Sequence, residues 1–443
     1  MAIWQCMVGR FSVVAIFCSL PAGGAVTFYK DVLPIMQRHC QECHHAGEAV
    51  PMTLMTYKDA RPWAAAIKEA VLTKKMPPWF AAGANGRFLN DRRLSQQEMD
   101  TLVSWAASGV KEGDAKDAPA PRAFVEGWSI GNPDIVFEMQ KAFHVPPKGK
   151  VDYQYIVVPT GFTEDRWVSK IEVLPGNRSA VHHIVLIARA PGSNYMKAAK
   201  PGEPFAFIPE NEAKHLEDTG AGKFFMLGGT VEMVSVYVPG GVAYQTAPGQ
   251  ARLIKAGSDL IFQMHYTPDG KDEMDKSRVG MVFAKEPPKE RVVNTFIQNA
   301  NLHIPPETSN HRVEANVTLY EDVTVTSLFP HMHVRGKSFE YKAFYPNGEI
   351  QTLLEVPHYD FNWQLSYYLK DPIKLPKGTR LQAIAHYDNS ANNPNNPDPK
   401  KDVYWGEQTW DEMLAGFIDL AIPATTNPGN IVREKKAGGD QRR

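Results

Sequence analysis

Cysteine is scarce in this sequence of 443 residues, which contains only four. Two of them, Cys6 and Cys18, lie in a leading segment that we expect to be removed, so the mature chain keeps Cys40 and Cys43. A fold cross-linked by several disulfides is therefore excluded. The stability of the mature chain must come from packing.

The sequence also lacks an excess of charge of either sign. Lys and Arg together number 48, and Asp and Glu together number 49. No strong field of one sign favours nucleic acid or an acidic membrane surface, and we expect no nucleic-acid partner. The length is sufficient for about three domains of ordinary size.

The N-terminus has an apolar run, but a short one. Arg10 precedes the apolar residues 11–20, and small residues follow at Gly23 and Ala25. This order is typical of a signal peptide over residues 1–25, which predicts a periplasmic or secreted mature protein. The run is too short to span a bilayer comfortably, so we expect no stable membrane insertion after cleavage. An uncleaved anchor is the alternative.

The first motif of the mature chain is Cys40-Gln-Glu-Cys43-His44, a C-x-x-C-H sequence. In such a motif two thioethers tether a haem, and the adjacent histidine supplies an axial ligand to the iron. We therefore predict a covalent haem c attached to Cys40 and Cys43, with His44 on the iron. A disulfide or a redox-active dithiol is the alternative use of the two cysteines.

Helix-like segments surround this motif, at residues 28–39, 57–73 and 94–108. The last of them begins with a capping box, Ser95 and Glu98. The region 26–112 resembles a small class I cytochrome c. That resemblance implies an all-α haem domain with a sixth iron ligand, and we choose Met76, which lies on a proline-stiffened loop after the second helix.

The composition changes after a linker predicted over residues 113–125. Short alternating apolar runs separated by Pro and Gly follow, and they are typical of antiparallel sandwiches. We predict two jelly-roll-like sandwiches, at residues 126–289 and 290–422, with a loop-rich insertion at 190–229 and a disordered tail at 423–443. The predicted fold class is thus a small all-α cytochrome c domain followed by two all-β antiparallel sandwiches.

Two histidine pairs stand out in the β-rich part. His331-Met-His333 lies in a run whose apolar residues alternate, so both imidazoles should project from one face of a strand and can close on one metal ion. His182 and His183 are adjacent, so they can share one ion only where the strand bulges or ends. Packing of either pair without a metal is the alternative.

Two further pieces are Gln263-Met-His265-Tyr266 and Trp410-Asp-Glu-Met413. The four pieces, in this order over about residues 126–422, resemble the type II copper, ascorbate-dependent monooxygenases, the family of peptidylglycine α-hydroxylating monooxygenase and dopamine β-monooxygenase. Carried over residue by residue, the resemblance implies an electron-transfer copper on His182, His183 and His265 and an oxygen-binding copper on His331, His333 and Met413. A thioether beside two imidazoles favours Cu(I), the state that meets dioxygen.

The resemblance is incomplete in two respects. Members of known fold are heavily cross-linked by disulfides, and the family takes its electrons from ascorbate, whereas here a haem is expected as donor instead of or in addition to ascorbate. Arg335, on the same predicted strand face as His333, is a candidate for binding a substrate carboxylate, with a surface salt bridge as the alternative. His386 is either an extra ligand or a packed histidine.

The leading hypothesis is an exported, haem-fused copper monooxygenase. It would hydroxylate an activated C–H bond of a small molecule or peptide with dioxygen, and its electrons would reach two mononuclear coppers through the haem, from ascorbate or from a periplasmic donor. The alternatives are a periplasmic electron carrier and a copper-binding protein without oxygenase activity. Met413 argues against simple storage, because a mixed site of histidine and methionine suits redox chemistry.

Overall fold

The computed structural model describes residues 25–48, 52–206 and 230–434. The predicted signal peptide before Ala25, residues 207–229 of the predicted insertion and residues 435–443 of the predicted tail lie outside these ranges. None of the helices within them is long and apolar enough to cross a membrane.

The regular structure consists of a few short helices and many strands. Helices α1–α4 are Leu33–His39, Tyr57–Ala60, Ala64–Leu72 and Gln96–Ala107, with a π-helical turn at Phe28–Val32 and 3₁₀ turns at Arg61–Trp63, Ala115–Asp117 and Pro428–Asn430. Strands β1–β11 are Ile135–Glu138, Phe143–Val145, Gln154–Pro159, Arg166–Leu174, Val181–Arg189, Val231–Tyr237, Tyr244–Gln245, Gln250–Ile254, Asp259–Tyr266, Glu273–Asp275 and Arg278–Phe283. Strands β12–β22 are Glu290–Gln298, His303–Ile304, His311–Leu319, Val323–His331, Gly336–Phe344, Ile350–Val356, Tyr367–Leu375, Arg380–Tyr387, Val403–Tyr404, Ala415–Pro423 and Val432–Glu434.

The predicted fold class, a small all-α cytochrome c domain followed by two all-β antiparallel sandwiches, is wrong. The described residues are mostly β-sheet with a few short helices, and no small all-α cytochrome c domain is seen among them. The loop between α3 and α4 accounts for part of the difference. Its Trp79 and Phe88 rings pack on Tyr367 of β18, with centroid separations of 5.1 and 5.5 Å. The helical segment is therefore joined to the core of the sheets by buried aromatic side chains.

The individual helices nevertheless begin and end close to the predicted positions. At the start of α4, the Ser95 hydroxyl accepts the Glu98 N–H at 3.3 Å, and the Glu98 carboxylate accepts the Ser95 N–H at 2.9 Å, so the predicted capping box is confirmed. The buried face of α4 carries Leu102 and Trp105, which share a hydrophobic cluster with Phe28. Capping and an apolar face together explain why this segment is helical.

The predicted linker packs against the helical segment. Arg122 Nη1 donates to the Gln37 carbonyl at 2.7 Å, and Gln37 Nε2 donates to the Ala120 carbonyl at 2.9 Å. Phe124 stacks on His45 with a centroid separation of 3.9 Å. These contacts fix the path of the chain from the helices to β1.

The largest sheet crosses the predicted boundary between the two sandwiches. Its strands follow the order β1-β11-β4-β8-β12-β21-β15-β18, and β7 pairs beside β4. The crossing point is a short parallel pairing in which Glu290 and Arg291 of β12 lie opposite Gln250 and Ala251 of β8. One sheet therefore links the strands before residue 290 to those after it, and this is the second reason why the predicted fold class fails.

Smaller sheets complete the architecture. A four-stranded sheet has the order β3-β9-β5-β6, a five-stranded sheet has the order β17-β16-β19-β14-β22, and β10 with β2 and β13 with β20 form two-stranded sheets. The pairing of β22 with β14 lies within the predicted tail, so ordered structure continues past residue 423 to Glu434. Two hydrophobic clusters lie between the layers, one before and one mostly after residue 290.

A buried ionic cluster lies where the halves of the large sheet meet. Arg252 of β8 donates to Asp419 of β21 at 2.6 Å and also pairs with Glu232 of β6. Asn294 of β12 completes the cluster, since its side chain donates to Asp419 and its backbone N–H to Glu232. The Arg252 side chain is 2% exposed, so these partners satisfy a charge that water does not reach.

Candidate metal centres

The first histidine group consists of His182, His183 and His265, which lie on two paired strands. Strands β5 and β9 are antiparallel, and His183 stands opposite His265. The register shifts between Val181 and His183, so the strand bulges at His182. This is the irregularity that an adjacent histidine pair needs, because it brings His182 to the side of the sheet that His183 and His265 occupy.

The three rings converge on one point. Their centroids are between 4.8 and 5.2 Å apart, and one ligand atom from each lies within 4.8 Å of the others. The Nδ1 atoms of His182 and His183 are 3.0 Å apart. In the described part of the chain, the Nδ1 atom of His265 is buried without a hydrogen-bond partner. A metal ion between the rings would satisfy these nitrogens, so the group fits copper.

Burial keeps the first group neutral. It lowers the pKa of His182, lowers the pKa of His265 to about 3, and with the neighbouring imidazoles lowers the pKa of His183 well below its ordinary value. Tyr153 packs edge-on against His265 with a centroid separation of 4.8 Å. Neutral imidazole is the form that binds a metal, so no proton has to be removed at neutral pH before metal binding.

The second group consists of His331, His333 and Met413, and strand register brings it together. His331, the last residue of β15, is paired with Ala415, the first residue of β21. Past this pair one chain continues to His333, while Met413 precedes Ala415 on the other. The two imidazoles and the thioether line one cavity of about 60 Å³, which His183 of the first group also lines.

Hydrogen bonds orient both imidazoles of the second group. His331 Nδ1 lies 2.7 Å from Gln364 Oε1, and His333 Nδ1 lies 3.2 Å from the Asp411 carbonyl. Since both partners accept, each Nδ1 carries the proton and each Nε2 is free to bind a metal. Among the described residues, His333 Nε2 is buried without a partner. Burial lowers the pKa of His331 to about 4 and that of His333 well below its ordinary value.

Glu412 holds the backbone of the second group, a role that the sequence did not reveal. Its carboxylate accepts the N–H groups of His333 at 2.9 Å, Arg335 at 2.6 Å and Met413 at 3.3 Å. The side chain is fully buried, and burial raises its pKa to about 8 although the three N–H groups act in the opposite direction. One carboxylate thus ties together the two chain segments that carry the ligands.

Gln364 and Phe361 were also missed. Gln364 is 33 residues from His331, and Phe361 packs on rings of both groups. Both belong to the loop between β17 and β18, and no local pattern in the sequence relates that loop to the histidines. Only the pairing of β15 with β18 brings the loop close to them.

The predicted haem residues occupy two places in the helical segment. Cys40 and Cys43 are free thiols, and burial raises the pKa of Cys40 to about 12. His44 Nδ1 lies 3.2 Å from the Met52 carbonyl, which leaves Nε2 free as an axial ligand would require. Met76 lines a cleft of about 1190 Å³ between the loop after α3 and the sheet region, and His44 does not line this cleft. Cys40 and Cys43 do not line this cleft either, so the structure does not bring the motif and Met76 together around one haem-sized space.

Arg335 is not a surface residue and does not face the metal groups. It is 2% exposed, and its guanidinium donates to Asn389 Oδ1 at 2.9 Å and to the Trp410 carbonyl at 2.8 Å. It lines neither the cavity at the histidines nor the large cleft. The prediction that it binds a substrate carboxylate therefore has no geometric support, and neither does the alternative of a surface salt bridge. His386 lies on β19 with its Nδ1 atom 3.1 Å from the Ser338 hydroxyl.

Comparison with known families concerns the second group. Residues 292–426 match the family described as copper type II ascorbate-dependent monooxygenase, C-terminal domain. The match supports this monooxygenase family. It includes His331, His333 and Met413, so a copper-dependent oxidoreductase is supported by family and by geometry in the same residues. The first histidine group lies outside the matched range and rests on its geometry.

Other comparisons add no argument about function. Among curated proteins, no relative matches this sequence. A structure of infectious bursal disease virus Gx strain aligns with 10% identity and a TM-score of 0.20, covering 69% of this chain and 78% of that one. A putative secreted protein from Eubacterium rectale aligns with 9% identity and a TM-score of 0.18, covering 61% of this chain and 69% of that one. Likenesses this weak establish neither a shared fold nor a shared function.

Proposed function

We propose that this protein is an exported copper-dependent monooxygenase that hydroxylates an activated C–H bond with dioxygen. One oxygen atom enters the substrate, and the other is reduced to water with two electrons and two protons. The observation that carries the proposal is the pair of buried, neutral histidine groups, one with a thioether, which meet at a cavity lined by His183 of the first group and by all three members of the second. The family match over the second group supports the same activity.

Each group has a distinct role in the proposal. His182, His183 and His265 would hold an electron-transfer copper, and His331, His333 and Met413 would hold the copper that meets dioxygen. Copper bound there would supply one-electron chemistry toward dioxygen. The Gln364 side chain and the Asp411 carbonyl hold the imidazole protons on Nδ1, so Nε2 of His331 and Nε2 of His333 are left to bind this copper.

The cavity restricts what reaches the second group. At about 60 Å³ it has room for only a few small molecules, and the aromatic rings of Phe296, Phe329 and Phe417 form part of its wall. In the proposal, this narrow cavity admits dioxygen and the reacting end of a substrate. The remainder of a small-molecule or peptide substrate would lie outside this cavity.

The electrons are proposed to come from ascorbate, from a haem attached at Cys40 and Cys43, or from both. Support for the haem is limited to the motif, the two free thiols and the orientation of His44. A haem there would be an electron relay within the same chain, refilled by a periplasmic donor. The haem test is simple, because a covalent haem c remains with the denatured protein and gives a pyridine haemochrome spectrum, whereas a redox dithiol does not.

The decisive experiment combines metal analysis with isotope labelling. The purified protein should bind two coppers per chain and, with ascorbate and ¹⁸O₂, transfer one labelled oxygen atom into a product from a panel of small molecules and peptides with activated C–H bonds. His331→Ala should abolish labelling. His303→Ala is the matched control, since His303 is exposed and bonds to Asp402. Copper binding with electron transfer but no oxygen uptake would instead identify an electron carrier.

A further inference from the structure

One short segment of the chain reaches both histidine groups. This bridging segment, Tyr359 to Gln364, lies in the loop between β17 and β18. At one end the Tyr359 hydroxyl donates to the Met332 carbonyl at 2.7 Å and accepts the Met332 N–H at 3.1 Å, midway between His331 and His333. At the other end Gln364 bonds to His331. The segment is therefore fixed to the second group at both ends.

Phe361, in the middle of the bridging segment, extends the contact to the first group. Its ring centroid lies 6.1 Å from His182, where the rings are stacked at 18°, and 6.1 Å from His265. The same ring lies 6.4 Å from His333 at an interplanar angle of 83°. One phenyl ring thus touches two imidazoles of the first group and one of the second.

Phe361 is packed less completely than the aromatic rings of the core. Phe361 is half-buried and lines the large cleft on its outer side. Because one side of its ring faces the cleft, Phe361 is not enclosed by packing on all sides as a fully buried ring is. Changes at residues in direct contact have free-energy effects that are not additive. A ring that contacts both groups is therefore a physical route by which one group can influence the other.

Metal binding at the first group would fix the rings of His182 and His265. Phe361 packs on both, so its position would then be fixed as well, and with it the packing on His333. Ordering of the shared ring would be needed only once, for whichever metal binds first. The second metal would not bear this ordering cost, so it would bind more tightly than it does to a protein whose other group is empty.

We propose that Phe361 is a positioning residue that couples the two metal groups, so that occupancy of the first group strengthens copper binding at the second. The proposal rests on the proposed function, because it requires copper at both groups. The coupling would depend on one loop side chain that is not itself a metal ligand.

The test is a thermodynamic cycle on Cu(I) affinity. Affinity at the second group is measured by competition with a chromophoric Cu(I) chelator, and X-ray absorption identifies this group by the sulfur scatterer of Met413. The measurement is made in the full-length protein with the first group filled, and again in His183→Ala, which disables the first group without altering a ring that touches Phe361. The ratio of the two affinities is the coupling.

The coupling is expected to be at least about fivefold in the unsubstituted protein and close to one in Phe361→Leu. Phe361→Tyr keeps the ring and should retain the coupling. Phe329→Leu is the matched control, because Phe329 packs on His331 with a centroid separation of 6.2 Å and has no ring contact with the first group among the described residues. This control should retain the coupling as well.

Three results would overturn the proposal. They are a ratio of one in the unsubstituted protein, an equal ratio in Phe361→Leu, and a loss in Phe329→Leu as large as the loss in Phe361→Leu. Failure of the unsubstituted protein to bind copper at either group would overturn the proposed function together with the coupling. Two coppers bound without coupling would overturn the coupling alone.

Discussion

Glu412 shows how much of the second metal group depends on a residue that binds no metal. Its carboxylate holds three backbone N–H groups on two chain segments, and it does so without contact with water. Burial favours the protonated form, whereas the N–H groups favour the charged form, and the balance leaves its pKa raised to about 8. The stability of the metal-free protein should therefore depend on the protonation of this side chain.

The Glu412→Gln variant should reveal that dependence. A raised pKa in the folded protein means that the stabilising effect is complete below the ordinary pKa of glutamate and is lost as the pH rises toward 8. Relative to Glu412→Gln, the unsubstituted metal-free protein should lose up to about 1.4 kcal/mol of unfolding free energy per pH unit between roughly pH 5.5 and 7.5. Urea denaturation at several pH values measures this difference, and the subtraction cancels the titration of the histidines. A difference independent of pH would contradict the prediction.

Gln364 controls the orientation of His331 in the same indirect way. In Gln364→Leu the imidazole loses its acceptor at 2.7 Å, and either nitrogen can then carry the proton. Copper affinity at the second group should fall by about tenfold to 100-fold. Gln263→Leu is the control, because Gln263 lines the same cavity but donates to the Tyr155 hydroxyl. Chelator competition with each variant gives the two affinities, and an equal loss in both would refute the specific role of Gln364.

At the scale of single elements, features that depend on neighbouring residues could be predicted from the sequence, whereas features that depend on pairing between distant strands could not. The capping box at Ser95 and the need for a bulge at His182 both follow from neighbouring residues, and the structure contains both. The histidines and Met413 could be chosen from motifs. The loop that carries Phe361 and Gln364 could not, because its place beside β15 is decided by a pairing between residues far apart in the sequence.

The N-cap of α4 offers a direct test of the local argument. Ser95→Ala removes the hydroxyl that accepts the Glu98 N–H, and Glu98 also pairs with Arg38 at 2.8 Å. The variant should lose about 1 kcal/mol of stability. Gln97→Ala, an exposed change in the first turn of the same helix, should have a much smaller effect. Chemical denaturation of both variants makes the comparison, and equal losses would show that the cap contributes nothing particular.

At the scale of the whole molecule, the sequence pattern did not show how the predicted domains are joined. Alternating apolar runs on both sides of residue 290 predicted two antiparallel sandwiches, and the C-x-x-C-H motif with its helix-like surroundings predicted a separate haem domain. The apolar patterns are real, but they do not record which strand edges remain open. The edges of β8 and β12 pair with each other, and Trp79 and Phe88 pack against β18, so the structure joins what the sequence separates.

Arg252 tests how strongly the halves of the large sheet depend on each other. Arg252→Leu leaves Asp419 and Glu232 buried without their cation, which should destabilise the protein by about 3–5 kcal/mol. Unfolding should be followed by tryptophan fluorescence and by copper release, because loss of the cluster should disturb both metal groups together. Lys116→Leu, which removes an exposed ion pair with Asp114, should leave the unfolding midpoint unchanged. Loss of only one group in Arg252→Leu would show that the halves are energetically independent.

The parallel pairing at residue 290 has a consequence for recombination among related genes. A crossover between two relatives at this position would bring together a β8 from one parent and a β12 from the other, and it would separate Arg252 from the Asp419 with which it was selected. Such a chimaera would combine an unmatched β8–β12 pairing with an unmatched partner for Arg252. Viable exchanges should therefore fall at surface loops, and inheritance of the two histidine groups should be linked even though their nearest members, His265 and His331, are 66 residues apart in the sequence.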